Sequence, residues 1–74
     1  MKFEDFLQFL GKEFSFDTSG ITPQTTFEEI NFDEFDMIEL VMSVEDSFRI
    51  EIDEDALTGL KTLGQFAAYL KERI

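Results

Sequence analysis

Cysteine, histidine and tryptophan are missing from this 74-residue sequence, proline occurs once, and only six Lys and Arg stand against 17 Asp and Glu. Without cysteine there is no disulfide framework, thiolate zinc site or thiol catalysis. Without histidine the usual general base and the commonest metal ligand are gone, so most enzyme chemistries are excluded and no metal site is expected. The shortage of bases leaves a net charge of −11, which repels nucleic-acid phosphates and anionic lipid alike. The expected partner is therefore a basic protein surface. No apolar run is long enough to span a bilayer, and Met1 to Asp5 carries carboxylates where a signal peptide would be apolar. The expectation is a soluble, cytoplasmic monomer.

What the chain does have is apolar bulk: 43% hydrophobic residues, ten of them Phe. That is enough to offset the entropy of ordering if most of it is buried. One domain over residues 1–74 is expected, with no internal repeat or low-complexity tract. Charge is uneven along it. Residues 31–55 hold ten acids and one base, Arg49, whereas residues 56–74 hold one acid and three bases.

Helical periodicity predicts an all-α fold. Phe3, Phe6, Leu7, Leu10 and Phe14 recur at the spacing of a one-faced first helix, and Leu63, Phe66, Ala67, Leu70 and Ile74 repeat it in the last. Thr62 followed by Gln65 has the form of a capping box. Residues 16–32, with Ser19-Gly20, Pro23 and a Thr cluster, are too broken for a long helix and need their own anchors. Phe27 and Ile30 supply these, with Thr26 and Glu29 capping a single turn. A short helix from about Glu54 to Leu60 has Asp53 as its N-cap.

The second helix, from Asp33 as N-cap to about Phe48, carries two apolar faces. At about 100° per residue, Leu40, Val44, Met37, Phe48 and Val41 share an arc of about 100° that reads as the core stripe. Phe35, Ile38 and Met42 fall on the opposite side, interleaved with Glu39, Glu45 and Asp46. A bundle helix normally buries one stripe, so the second is expected to be an exposed docking ridge whose acids steer a basic partner. The competing reading has the long loop fold over it. Glu39→Lys with Glu45→Lys is expected to abolish partner capture and leave the melting temperature nearly unchanged.

The segment from Phe27 to Ile52, and above all Asn31-Phe32-Asp33-Glu34-Phe35, resembles the acyl carrier protein family around its Leu-Gly-x-Asp-Ser-Leu motif and acidic second helix. The resemblance extends over the whole chain in helix order and length. It implies a four-helix bundle, three longer helices plus a short third, whose motif serine bears 4′-phosphopantetheine and whose second helix docks on acyl-processing or synthase enzymes. Carried over by position, Asp33 and Phe35 match the motif Asp and Leu. Asp36, Glu39, Glu45 and Asp46 match acidic recognition positions, and Ile38 and Met42 match apolar docking positions. The modified serine is replaced by Glu34, a residue with no hydroxyl to attack coenzyme A. No phosphopantetheine is therefore expected here. Asn31, in place of the motif Gly, can supply a left-handed turn. Bulky rings at Phe48 and Phe66 would fill the tunnel that carriers open for an acyl chain.

Three readings follow. The first is an acidic docking module for fatty-acid or polyketide-type enzymes, without the prosthetic group. The second is a genuine carrier, with Glu34 an introduced substitution or with another hydroxyl in use. Ser15, Ser19, Ser43 and Ser47 read chiefly as turn or helix residues, Ser19 being the best of them. The third is weak divalent-cation binding around Asp53-Glu54-Asp55. An EF-hand starting at Asp53 fails there, because its sixth and twelfth positions are Thr58 and Gly64.

Overall fold

The computed structural model describes residues 2–15 and 17–74; Met1 and Phe16, the first residue of the broken stretch, lie outside them. Four helices follow in order: α1 (Phe3–Phe14), α2 (Glu34–Phe48), α3 (Glu54–Leu57) and α4 (Leu63–Arg73). Among the described residues there is no strand, and the all-α expectation holds.

Each long helix starts where a side chain closes the cap: in α2 and α4 the cap residue accepts a first-turn amide, and in all three the third helical residue reaches back to the cap amide. In α1 the Asp5 carboxylate reaches back to the Lys2 amide at 2.9 Å. In α2 Asp33 Oδ1 accepts from the Asp36 amide at 2.9 Å, while Asp36 Oδ2 accepts from the Asp33 amide at 3.1 Å. This box is reciprocal. In α4 Thr62 and Gln65 repeat it with neutral groups. The remaining first-turn amides of α4 are met by the long loop: Leu63 N–H donates to Thr25 O at 2.9 Å and Gly64 N–H to Pro23 O at 3.0 Å. Phe27 N–H returns a bond to Lys61 O at 3.1 Å, completing an antiparallel bridge between Thr26 and Thr62.

That bridge decides where the long loop lies. It runs along α4, with Phe27 buried and Ile30 packed against the core as anchors, and Thr26 and Glu29 cap one turn as expected. Asn31 takes the left-handed conformation, φ 62°. The loop therefore does not cover the second face of α2.

Among the described residues the core is wholly apolar: Phe6, Leu10, Phe27, Leu40, Val44, Ile52, Leu63, Phe66, Ala67 and Leu70 are buried. Phe66 is at its centre, its ring 5.5 Å from Phe6 and edge-on to Phe27 at 5.7 Å. Phe9, off the expected stripe of α1, packs on Phe48 at 5.4 Å. Two expectations need correction. Ile74 is exposed, because α4 ends at Arg73 and leaves Ile74 beyond the last turn. The third helix stops at Leu57 rather than Leu60, because Thr58 turns its hydroxyl back to Asp55 O at 2.9 Å and the Gly59 amide bonds Ala56 O.

Candidate docking site on the second helix

The two faces of α2 separate as the angular count predicts. Leu40 and Val44 are buried, whereas Phe35 is 75%, Met42 63% and Ile38 49% exposed. Met37, Val41 and Phe48 are half-buried at the core margin. The three exposed side chains share one ridge, and a contiguous exposed apolar patch is the kind of surface on which interaction sites are found.

Beside the ridge, α2 and α3 form a groove of about 640 Å³ lined by Met37, Ile38, Val41, Met42 and Leu57, with Glu34, Glu45 and Glu54 also on its wall. No Lys or Arg lines it. Its volume is in the range of small-ligand sites. Phe66 does not enter it: that ring is spent in the core, and Phe48 faces Phe9.

The acids expected to recognise a partner fall into two sets. Glu39 and Asp46 are exposed, and neither side chain makes a hydrogen bond or ion pair among the described residues. Asp33 and Asp36 are engaged with each other in the helix cap. Glu45 is half-buried, and its Oε2 accepts from the Ile52 amide at 2.9 Å. That bond bears on the double substitution Glu39→Lys with Glu45→Lys, for which the sequence predicts a nearly unchanged melting temperature: its Glu45 half orphans a partly buried amide and should lower it. A contact seven residues away across a turn has no sequence signature.

Glu34 occupies the first helical position of α2, exposed, where the positive end of the helix dipole favours its charge. None of residues 33–36 carries a hydroxyl. Elsewhere, Ser15 is the left-handed cap of α1, Ser19 is exposed in a turn, Ser43 is half-buried and Ser47 is exposed on α2. Thr58, not singled out from the sequence, shares the groove with Glu34, but its hydroxyl is committed to Asp55 O. Among the described residues no group of His, Cys, Asp or Glu is arranged to hold a metal ion. No helix there is long and apolar enough to cross a membrane.

A capped acidic helix with an exposed ridge, in a bundle closed by a short third helix, defines a small helical carrier-type domain. Residues 4–70 match the family described as phosphopantetheine attachment site. The chain is 31% identical over 71 residues to the acyl carrier proteins of Streptococcus pyogenes serotype M3, Streptococcus pneumoniae serotype 4 and Streptococcus thermophilus strain CNRZ 1066, covering 96% of this chain and 93% of each relative. The chain belongs to the acyl carrier protein family, whose members are carriers rather than enzymes.

Proposed function

We propose that this chain is an acidic docking module of the acyl carrier type, serving fatty-acid or polyketide-type enzymes without phosphopantetheine at residue 34. The observation that carries the reading is the pairing of an exposed Phe35-Ile38-Met42 ridge with a carboxylate at the first position of α2. The ridge supplies desolvated contact area, and Glu39 and Asp46 beside it bring a basic surface into register. Glu34 cannot take part in the family's loading reaction, which needs a hydroxyl on the carrier to form a phosphodiester; a carboxylate would give a hydrolysable mixed anhydride instead. The residues opening α2 do not fit that group.

Intact-mass measurement after incubation with coenzyme A and a broad-specificity phosphopantetheinyl transferase tests both halves. The unaltered chain is expected to gain nothing, and Glu34→Ser to gain one phosphopantetheine because the surface that the transferase grips remains. A gain on the unaltered chain would mean that another hydroxyl is loaded, making the protein an ordinary carrier by an unusual site. No gain on a folded Glu34→Ser chain would count against the docking face.

A further inference from the structure

We infer that Glu45 is a positioning residue, acting on docking through α3, which its carboxylate holds against α2, rather than through its own charge. This rests on the docking reading above. Helix α3 is a single turn of four residues, none of them buried. Its contact with the core is the half-buried Leu57, so its entry carries much of what fixes it. There the Ile52 side chain is buried, the Ile52 amide donates to Glu45 Oε2 at 2.9 Å, and the Asp53 amide donates to Tyr69 Oη at 3.2 Å. The backbone carbonyl of Glu45 also accepts from the amides of Arg49 and Ile50. One residue of α2 thus receives three amides, those of Arg49, Ile50 and Ile52, in the turn that leads to α3.

The consequence reaches the docking face because α3 makes one wall of the groove. Leu57, Glu54 and Thr58 stand across from Ile38, Val41 and Met42, so the groove has its shape only while α3 is seated. Glu39 and Asp46 have no such internal use. A bond from an amide to an ionised, partly buried carboxylate is among the stronger single hydrogen bonds, and breaking it frees a local segment before the whole domain.

Charge and acceptor can be separated by substitution. Glutamine keeps an oxygen for the Ile52 amide and loses the charge; alanine loses both. Amide hydrogen exchange is measured on the unaltered chain, Glu45→Gln and Glu45→Ala, and initial transfer rates from coenzyme A are measured on the same substitutions in the Glu34→Ser background. With Glu45→Ala the Ile52 amide is expected to exchange at least about tenfold faster while those of Leu40 and Val44 hold. Loading by the transferase falls with it, and Glu45→Gln rescues both. Unchanged Ile52 exchange in Glu45→Ala overturns the inference. So does a Glu45→Gln chain that keeps Ile52 protected yet loads as poorly as Glu39→Gln, since Glu45 would then act by charge. Failure of the docking reading looks different: Glu34→Ser loads at one rate whether or not Phe35→Ala is added, and the exchange data alone then decide whether Glu45 seats α3.

Discussion

The half of the molecule formed by α1, α4 and the long loop differs from the half formed by α2 and α3 in how it uses the same residue types. In the first, three phenylalanines are buried: Phe6 and Phe27 each meet the ring of Phe66, and carbonyls of the loop receive the first amides of α4. In the second, Phe35 stands in water on an acidic ridge, and α3 has no buried residue. The first half covers its own rings, whereas α2 sends Leu40 and Val44 into the core and leaves Phe35, Ile38 and Met42 exposed. Burial of a side chain contributes to stability only where the chain itself covers it; an apolar ridge left bare contributes when another molecule arrives.

Substituting alanine for a Phe in each half tests that contrast at its largest. Phe66→Ala removes a fully buried ring at the centre of the core and is expected to destabilise the domain by about 3–5 kcal/mol, a large share of what so small a domain has. Phe35→Ala is expected to stay within about 0.5 kcal/mol of the unaltered chain in urea denaturation, while weakening partner capture. A cost above about 2 kcal/mol for Phe35→Ala would mean that the ridge is part of the folded interior.

A smaller effect, again confined to the packed half, belongs to Gly64. A Cβ there would stand 2.6 Å from the Pro23 carbonyl oxygen and 2.7 Å from Pro23 Cβ, in the first turn of α4 where the loop comes closest. Gly64→Ala must push the loop away and loosen the bond from the Gly64 amide to Pro23 O, at about 1–3 kcal/mol. Gly59 is the control. Its Cβ would meet only Ala56 O at 3.8 Å, and Gly59→Ala should be neutral or slightly stabilising in the same denaturation series.

Local features were legible in the sequence because their causes are local. The stripes of α1 and α4, the two faces of α2, the Asp33 and Thr62 caps, the Thr26–Glu29 turn and the left-handed Asn31 all follow from neighbours within four residues. What escaped depends on distant segments. Pro23 seated on Gly64, Tyr69 receiving the Asp53 amide, and Glu45 receiving that of Ile52 are set by how elements pack, and no spacing rule marks them. For the site, the same division held: the exposed ridge could be read from periodicity, but which of its acids are free and which are structural could not.

The smallest effect concerns charge, and it sharpens the comparison without any change in packing. The last turn of α4 carries Lys71 and Arg73, which suit the negative end of its dipole, whereas the last turn of α2 has no base and α2 carries Asp46 close to that end. Ten of the 17 acids lie in residues 31–55. The molecule measures 28 × 22 × 20 Å, so at 0.01 M salt, where screening extends over about 30 Å, every acid feels every other, and at 0.15 M the reach shrinks to about 8 Å. Salt should therefore raise the melting temperature by several degrees, for a gain on the order of 1 kcal/mol. Asp46→Asn should raise it at low salt by a fraction of that and reduce its salt dependence; Lys71→Gln should lower it and increase the dependence. An Asp46→Asn chain that melts lower than the unaltered protein at 0.01 M salt would show that this carboxylate serves the fold. The same result would remove it from the charges proposed to meet a partner.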